Sequence, residues 1–365
     1  MNVVAIEACD PSDEDARAEA FEERMVSALN EGALMLMTSV GHRSGLFEAM
    51  NGAPALPCQA IAERAGLQER YVREWLGCMV AAGVVEIDGT AHTYRLPAAH
   101  ARVLTDDGAA NMAVYAQFIP LLGGVEDDIV ACFKDGGGVP YARYGRFHEV
   151  MAEDSGQTVL PALVDHILPL VPGLTARLHD GIRVLDVGCG RGRALMLLAA
   201  AFPNSRFVGY DLSPEAIAWA GAEATRRGLG NLSFEARDVS DFDRTADPHA
   251  FDLVLTFDAI HDQARPLNVL NGIRRSLAEG GTYLAQDIKG SSHHEHDRDH
   301  PLGTLLYAVS CLHCMTVSLA QGGEGLGAMW GRETAERYFR DAGFGAIETH
   351  ELQHDIQNLY YVCRP

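Results

Sequence analysis

Residues 182–192 read IRVLDVGCGRG. Residues with β propensity lead into Asp186, and glycines then follow at positions 188, 190 and 192. Because glycine has no Cβ, the backbone there can turn tightly and approach a ligand closely. The helix that we expect to start near Arg193 directs its free N–H groups into the same space. The stretch therefore predicts a strand, a ligand-binding loop and a helix.

A glycine-rich loop alone does not identify its ligand. The dinucleotide fingerprint is GxGxxG, whereas the spacing here is GxGxG. Asp211 ends the second predicted strand, where a carboxylate can accept both ribose hydroxyls of NAD or of S-adenosylmethionine. Asp238 follows the third strand, where it can accept the exocyclic amine of an adenine.

From Gly181 onward the chain alternates strands and helices. The predicted strands are RVLDV (183–187), RFVGYD (206–211), LSFEARD (232–238), FDLVLTFD (251–258) and TYLAQDI (282–288). The helices between them include RALMLLAAAF (193–202), SPEAIAWAGAEATRRG (213–228) and PLNVLNGIRRSLAEGG (266–281). This alternation predicts a parallel sheet covered on both faces. Two last strands with a short connection, AIETHEL (346–352) and NLYYVCR (358–364), predict a terminal antiparallel hairpin.

Residues 181–365 resemble the class I S-adenosylmethionine-dependent methyltransferases. The resemblance rests on VLDVGCGRG (184–192), VGYDLS (208–213), ARDV (236–239), FDLVLTFDAIHD (251–262) and LAEGGTYL (277–284). It implies a doubly wound, seven-stranded α/β fold and S-adenosylmethionine as cofactor. It also implies the binding residues: Asp186, Gly188, Cys189, Gly190 and Gly192 on the methionine side, Asp211 at the ribose, Leu212, Asp238 and Val239 at the adenine, and Phe257.

The N-terminal part predicts a second, mainly helical domain. We expect a disordered acidic tail over 1–20 and a domain over 21–104. Two helices are predicted, over PCQAIAERAGL (57–67) and over QERYVREWLGCMVAAG (68–83), and the second has Tyr71 and Trp75 on its apolar face. A hairpin is predicted from VVEI (84–87), an Asp88–Gly89 turn and HTYRL (92–96). This is the outline of a winged helix.

A winged helix can bind DNA or serve packing and dimerisation. The second helix offers Glu69, Arg70, Arg73 and Glu74, which is a mixed face, and the chain carries a net charge of −21. DNA-binding domains usually have a clear excess of positive charge. We therefore favour a dimerisation role, and the surplus of apolar residues over 29–50 predicts a homodimer.

Residues 105–180 predict a helical connecting region that caps a pocket. Its Tyr141, Tyr144, Phe147 and His148 are candidates to line a substrate, as is His313 further on, although a structural role is the more common one for such residues. The whole chain resembles a bacterial group of such methyltransferases that are sometimes described as transcriptional regulators. The markers of this resemblance include AGLQERYVREWLGCMVAAGVVE (65–86), GVPYARYGRFHEVMAE (138–153) and GLGAMWG (325–331). The chain is also similar to plant-type small-molecule O-methyltransferases, whose winged helix serves dimerisation.

FDAIHDQARP (257–266) follows the fourth strand, at the edge where doubly wound sheets place their chemistry. The resemblance to plant-type enzymes implies that His261 is the catalytic base and that Asp262 could orient it. Alternatively, Asp262 caps the next helix and His261 packs on the loop. GSSHHEHDRDHPLG (290–303) contains four histidines, but so polar a run is more typical of a solvated loop or lid than of a metal site, and we predict no metal.

Composition limits the remaining classes of function. Hydrophobic residues make up 47% and charged residues 22%, as in ordinary globular proteins. We expect no membrane span, reduced cysteines, an acidic N-terminus without a targeting signal and hence a cytoplasmic protein. The leading hypothesis is methylation of a small molecule, most plausibly at oxygen. The alternative is a winged-helix regulator whose methyltransferase fold senses a ligand.

Overall fold

The computed structural model describes residues 11–106 and 110–365. The chain forms two compact units, one up to Pro120 and one from Leu121 onward, with the boundary inside helix Phe118–Gly123. Most of the region expected to connect the domains, 105–180, therefore lies within the second unit. We describe each unit by itself.

The first unit is a winged helix preceded by a long helix. Helix Pro11–Arg43 begins inside the stretch expected to be a disordered tail, so its second half is helical instead, and residues 1–10 lie outside the described residues. The other helices are Leu46–Met50, Cys58–Ala65, Glu69–Ala81, Ala98–Leu104 and Met112–Ala116. The strands β1 (Leu56–Pro57), β2 (Glu86–Asp88) and β3 (Thr93–Arg95) form a sheet in the order β1-β3-β2. The predicted winged-helix outline is confirmed.

Trp75 is the centre of this unit's core. Its ring meets Phe47 edge to face at 5.2 Å between centroids, and its Nε1–H donates to the Met37 carbonyl over 2.9 Å. Leu76, the next residue, and Met79, one turn along the same helix, are fully buried. Tyr71 differs from the prediction: it is 80% exposed, because it lies at the edge of the apolar face rather than on it.

The second unit contains a seven-stranded sheet. Its strands are β4 (Arg183–Val187), β5 (Arg206–Asp211), β6 (Leu232–Ala236), β7 (Phe251–Phe257), β8 (Leu277–Ile288), β9 (Ala346–His350) and β10 (Asn358–Arg364). Their order is β6-β5-β4-β7-β8-β10-β9, with only β10 antiparallel to its neighbours. The predicted doubly wound sheet and terminal hairpin are confirmed. The strand order reverses direction between β4 and β7, the point at which such sheets bind ligands.

Helices cover both faces of this sheet. The helices of this unit are Glu126–Asp135, Phe147–Gln157, Val159–Ala162, Leu174–Asp180, Arg193–Ala201, Pro214–Arg226, Phe242–Thr245, Pro266–Ser276, Gly303–Val309, Met315–Ala320 and Gly331–Asp341. Short 3₁₀ helices are Tyr141–Arg143, Leu168–Leu170 and His294–His296, and π turns are Leu163–Ile167 and Ser310–Cys314. The helix expected to reach Gly281 ends at Ser276, since Gly280 has a φ of +73° and the chain is already part of β8 there.

Alternate residues of each strand supply two hydrophobic cores, one on each face. Leu185 and Val254 pack against helices Pro266–Ser276 and Gly331–Asp341 on one face. Val184 and Leu255 pack against helix Arg193–Ala201 on the other face. Because both cores are apolar, the polar side chains of the strands gather at the carboxyl edge of the sheet.

One helical stretch, Gly303–Ala320, is long and apolar enough to cross a membrane by length and composition alone. The core helix of a folded domain meets the same criterion, so the expectation of no membrane span stays a prediction. In this fold Thr316, Val317 and Ser318 of the stretch are buried within the second unit. A second candidate arises only if the stretches Phe147–Leu170 and Leu174–Asp180, bent by 105°, are counted as one span.

Candidate active site

A cavity of about 660 Å³ opens at the carboxyl edge of the sheet, around the ends of β4 and β7. This volume suits a small ligand. The predicted cofactor residues all line it: Asp186, Gly188, Cys189, Gly190, Gly192, Asp211, Leu212, Asp238, Val239 and Phe257. Among the other predicted residues, Tyr141, Tyr144, Phe147, His148 and Asp262 line it, whereas His261 and His313 do not.

The loop between β4 and helix Arg193–Ala201 depends on its glycines. Gly188, Gly190 and Gly192 have φ angles of +79°, +53° and +65°, a region that favours glycine. A Cβ on Gly188 would lie 2.4 Å from Cβ of Ala259, and one on Gly192 would lie 2.2 Å from the ring of Phe234. The loop therefore lies flat against the sheet edge and leaves room above it for a ligand.

Asp211 ties this loop to the end of β5. Its Oδ2 accepts the backbone N–H of Gly190 over 2.8 Å, and its Oδ1 accepts that of Ser213 over 2.8 Å. Each carboxylate oxygen has a second lone pair, so both remain able to accept a ligand hydroxyl. The carboxylate thus shapes the loop and faces the cavity.

The predicted adenine end is more open. Asp238 is exposed and its Oδ1 accepts the backbone N–H of Ser240 over 2.8 Å, which fixes the turn after β6. Leu212 is 45% exposed, a large apolar surface beside the cavity, whereas Val239 is buried. The roles of Asp238, Leu212 and Val239 at an adenine stay predictions.

Asp186 is the buried acid of the site. It is 2% exposed, and its Oδ1 has no hydrogen-bond partner among the described residues. Burial, with a smaller contribution from the charge of Asp211, raises the pKa of Asp186 to about 8. An unpaired carboxyl oxygen in such surroundings is costly unless a ligand supplies a donor or a positive charge.

Cys189 and Phe257 complete the predicted cofactor set. A Cβ added to Gly209 would lie only 2.7 Å from Sγ of Cys189, so the thiol packs against β5 beneath the loop. Burial raises the pKa of this thiol well above its usual range, which makes it unreactive. Phe257 ends β7 and is half-buried at the cavity.

His261 is held by a residue that the sequence did not suggest. Its Nδ1 lies 2.7 Å from Oδ1 of Asp287, and the ring is 3% exposed. The same oxygen accepts Nε1–H of Trp330 over 3.1 Å and the backbone N–H of Ile288 over 2.8 Å. Although burial lowers the pKa of His261, the charge and hydrogen bond of Asp287, together with Cys314, outweigh it and hold the pKa well above its usual value.

Asp262 does not orient the ring of His261. Its Oδ2 accepts the hydroxyl of Tyr141, and its Oδ1 accepts Nε2–H of Gln263 over 3.4 Å. It does not cap the following helix either, because helix Pro266–Ser276 has no side-chain cap. Burial, partly opposed by the charge of His261, raises the pKa of Asp262 to about 6. Asp262 is therefore the member of the pair that faces the cavity.

The predicted substrate residues form an aromatic cluster around His313. Phe147 stacks on its ring at 3.7 Å between centroids, and Tyr144 and Tyr141 meet it edge to face at 4.7 and 5.3 Å. His148 stacks on Tyr141 at 6.1 Å. The ring of His313 is 1% exposed, neither nitrogen has a hydrogen-bond partner among the described residues, and burial lowers its pKa well below the usual value. His313 is thus a neutral side chain within this cluster.

The histidine-rich segment after β8 is tied to the fold by serines. The backbone N–H of Ser291 donates to Asp297 over 2.9 Å, and the hydroxyl of Ser292 donates to the Trp330 carbonyl over 2.8 Å. Within residues 11–106 and 110–365, no three His, Cys, Asp or Glu side chains are arranged to hold a metal ion.

Sequence reasoning missed Asp287, Trp330 and Asp258. Asp287 lies near the end of β8, so its position at the carboxyl edge of a parallel strand beside β7 was a usable signal. Asp258, the first residue after β7, was equally visible in the FDAIHD motif. Trp330 had no such signal, since it reaches Asp287 from a loop 43 residues away.

Two sequence families match the chain. Residues 32–106 match the Rv2258c-like winged HTH domain, and residues 178–341 match a methyltransferase domain. Curated relatives include the trans-aconitate 2-methyltransferase of Streptomyces avermitilis, 35% identical over 127 residues that cover 34% of this chain and 44% of the relative. The fatty-acid O-methyltransferase of Mycolicibacterium smegmatis is 31% identical over 30% of this chain and 38% of its own length. The chain thus spans less than half the length of these relatives.

Solved structures match almost the whole chain. A putative O-methyltransferase of Nostoc punctiforme has a TM-score of 0.64 at 18% identity, covering 98% of this chain and 100% of that one. The mitomycin 7-O-methyltransferase has a TM-score of 0.64 at 20% identity, covering 96% of this chain and 100% of that one. The human N-acetylserotonin methyltransferase, solved with S-adenosylmethionine, has a TM-score of 0.62 at 16% identity, covering 98% of this chain and 99% of that one. At these identities the likeness concerns the fold. The bare glycine loop and the unpaired oxygen of Asp186 fit the cofactor of that fold. The chain therefore joins an N-terminal winged-helix domain to a methyltransferase domain of the class I S-adenosylmethionine-dependent fold.

Proposed function

We propose that the protein methylates a small molecule at oxygen, with His261 as the general base. The observation that carries the proposal is the hydrogen bond between His261 and Asp287 at the same sheet edge as the cofactor loop. Among curated relatives, the printed names include fatty-acid O-methyltransferase and ubiquinone biosynthesis O-methyltransferase, which supports oxygen as the acceptor atom.

The chain's own residues supply binding and proton transfer. When bound, the cofactor supplies an electrophilic methyl group. The loop at 188–192 and Asp211 fix its position, so most of the acceleration comes from alignment of the two reactants. An acceptor hydroxyl attacks poorly while protonated, so its proton passes to Nε2 of His261 in its neutral form. Because the pKa of His261 is raised, this form appears at higher pH than for an ordinary histidine, and turnover should rise with pH. Asp287, which accepts Nδ1–H of His261, then stabilises the imidazolium.

The proposal requires the acceptor to reach a histidine that does not line the cavity here. Tyr141 lines the cavity and its hydroxyl is bonded to Asp262, the residue next to His261. A second polar group of the acceptor can take the place of the Tyr141 hydroxyl on Asp262, which leaves the reacting hydroxyl free to donate to His261. Movement of the segment Tyr141–Phe147 accordingly accompanies acceptor binding.

The partner that we propose is a second copy, bound through helix Pro11–Arg43. Phe21, Met25 and Leu29 follow at intervals of four and are 58%, 52% and 76% exposed, and Leu36 and Val40 continue the same face at 44% each. A continuous apolar stripe of this kind marks an interface. Sedimentation of wild type and Leu29→Glu tests it: a dimer that becomes a monomer supports the proposal, and a wild-type monomer at micromolar concentration contradicts it.

The regulator alternative has less support. On the second helix of the winged helix Arg70 pairs with Glu74, and Arg73 pairs with Glu69 at 2.8 Å, so acids on the same face neutralise both arginines. A phosphate backbone would compete with these pairs and meet an acidic chain. We keep the cytoplasm as the expected compartment.

One paired experiment separates the two functions. Wild-type protein and His261→Ala are incubated with methyl-labelled S-adenosylmethionine and a panel of hydroxyl- and carboxyl-bearing metabolites, while gel shifts against genomic fragments run in parallel. Labelled O-methyl product that depends on His261 supports the proposal. Specific shifts without any transfer to the panel would support the regulator instead.

A further inference from the structure

His313 is a polar side chain in apolar surroundings. Its ring is buried, Phe147 stacks on one face of it, and Tyr144 meets it edge to face. Neither ring nitrogen has a hydrogen-bond partner among the described residues. A buried donor or acceptor without a partner lowers the stability of the folded protein. Each such group in a native fold therefore needs a physical reason.

Stacking alone does not explain a histidine at this position. A phenylalanine would stack on Phe147 in the same way and would bring no polar atoms into the interior. Burial lowers the pKa of His313 well below its usual value, so the ring is neutral. A neutral imidazole has one N–H donor and one acceptor nitrogen. Both are therefore available to a group that is not part of the described chain.

The backbone around His313 is irregular as well. Residues Ser310–Cys314 form a π turn inside the helical stretch Gly303–Ala320. π turns are rare, and they occur frequently at functional sites. The unpaired imidazole and the π turn are separate features of the chain, and they coincide at one residue.

Hydrogen bonds fix the π turn beside the proposed base. The hydroxyl of Ser318 donates to the Gln263 carbonyl over 2.8 Å, and the backbone N–H of Gly327 donates to the His261 carbonyl over 3.1 Å. A Cβ on Gly327 would lie 2.4 Å from Oγ of Ser310, so this loop and the π turn are in close contact. The unpaired imidazole thus lies near the group that takes the acceptor's proton.

Phe147 separates His313 from the cavity. Phe147 and Tyr144 line the cavity, whereas His313 does not. In the proposed function the segment Tyr141–Phe147 moves when the acceptor binds. Because Phe147 covers a face of the imidazole at 3.7 Å between centroids, its withdrawal opens His313 to the cavity.

We propose that His313 is a specificity-determining residue, which binds the second polar group of the acceptor once Phe147 has moved away. The inference rests on the proposed function in taking a small-molecule acceptor as a ligand of this cavity. A hydroxyl fits this place, since it can donate to Asp262 instead of Tyr141 and still accept the N–H of His313. The acceptor class is therefore a diol, with one hydroxyl that is methylated and another that is recognised.

The first experiment compares catechol with phenol, which lacks the second hydroxyl. Initial rates with S-adenosylmethionine give kcat/KM for both, and wild type should prefer catechol about tenfold or more. His313→Phe should reduce this preference about fivefold or more and leave kcat/KM for phenol within about twofold of wild type. His313→Gln keeps a donor and an acceptor, so it should restore part of the preference. If wild type accepts neither probe, an accepted diol from the panel and its monohydroxyl analogue take their place.

Equal rates for the two probes in wild type, or an unchanged preference in His313→Phe, would overturn this inference alone. A loss of activity on phenol as large as that on catechol would make His313 a structural residue and contradict it too. Absence of methyl transfer to any acceptor in wild type would overturn the proposed function instead.

The stability of the free protein is a second experiment, which needs no acceptor. His313→Phe and His313→Leu remove both unpaired nitrogens, so the urea midpoint should rise in at least one of these two variants, which differ in size. His249→Phe is the matched control. Its ring bonds to the Leu277 carbonyl over 3.0 Å, so its loss should lower the midpoint. A fall in both His313 variants would mean that the imidazole serves the fold, and would contradict the proposal.

Discussion

The carboxyl edge of the sheet has two halves that differ in how their side chains are held. At the ends of β4, β5 and β6 the cavity is open, and Asp211 bonds to Gly190 only 21 residues away. At the ends of β7 and β8 the polar groups are enclosed: Tyr141 bonds to Asp262 across 121 residues, and Tyr144 to the Leu312 carbonyl across 168. The first half is built by local sequence and the second by packing between distant segments.

The two halves also differ in electrostatics. On the open side Asp186 is a lone buried acid whose pKa is raised to about 8, so a cationic ligand stabilises its charged form. On the enclosed side Asp287 already has a cationic partner in His261, whose pKa lies well above its usual value. The open half can therefore bind a cationic ligand, whereas the enclosed half stabilises a proton on His261.

The largest effect that separates the halves is expected for His261→Ala. Removal of the base should lower methyl transfer about 10²–10⁴-fold. Affinity for the cofactor, which the other half binds, should stay unchanged. Turnover and calorimetric affinity are measured on the same preparation. His249→Ala is the matched control, since that ring bonds to the Leu277 carbonyl over 3.0 Å at the opposite sheet edge. Unchanged turnover in His261→Ala would make His261 a structural residue of the loop.

Asp211→Ala is expected to give the reverse pattern. Two charge-assisted hydrogen bonds to the ribose, each worth about 1.5–3 kcal/mol, are lost, so the affinity for S-adenosylhomocysteine should fall about 100-fold or more. The bond to the backbone of Gly190 is lost as well, which loosens the loop. Calorimetry measures the affinity. Asp252→Asn is the matched control, since that carboxylate accepts the backbone N–H of Arg183 over 2.9 Å at the opposite edge of the sheet. An affinity within twofold of wild type would remove Asp211 from the cofactor site.

The same contrast explains what the sequence could predict. The sheet, its terminal hairpin and the winged helix follow from periodicity and turn residues, which are local properties. The glycine loop, Asp186 and Asp211 belong to one continuous strand–loop–helix–strand segment, and all of them line the cavity.

The enclosed half was less accessible to that reasoning. His261 was found, but its partner was expected in adjacent Asp262, and the structure instead pairs it with Asp287, 26 residues away. His261 and Asp262 are adjacent in the turn after β7, where their side chains bond to different partners, Asp287 and Tyr141.

A smaller effect is expected for Asp287→Asn. Loss of a hydrogen bond to a charged group should lower the plateau of kcat/KM about 10- to 100-fold. The pH profile should also move. The charge of Asp287 raises the pKa of His261, so without it burial prevails, the pKa falls, and the neutral base appears at lower pH. A kcat/KM profile that rises at the same pH as in wild type would contradict the pairing.

The stability of the same variant gives an independent sign. A histidine whose pKa is raised on folding stabilises the folded state below its unfolded pKa of about 6.5, and this contribution is lost as pH rises through the folded pKa. Asp287→Asn should therefore lose most stability at low pH and less at high pH. Chemical denaturation across that range measures the difference. A loss that does not vary with pH would mean that His261 is neutral in the folded protein.

The smallest expected effect concerns Tyr141→Phe, which tests how the enclosed half opens. The hydroxyl of Tyr141 occupies Asp262, so an acceptor hydroxyl must compete with it. Removal of that hydroxyl should lower the acceptor KM a few-fold and leave kcat within about twofold. Initial rates over acceptor concentration measure both constants.

Tyr144→Phe is the matched control for this change. It removes a hydroxyl from the same segment, but one that donates to the Leu312 carbonyl rather than to Asp262. It should leave the acceptor KM as in wild type, because no competitor at Asp262 is lost. If Tyr141→Phe instead raises the acceptor KM while Tyr144→Phe does not, the Tyr141 hydroxyl binds the acceptor directly. The enclosed half would then already be arranged for the acceptor, as the open half is for the cofactor. The two halves would differ only in how accessible they are to solvent and ligands.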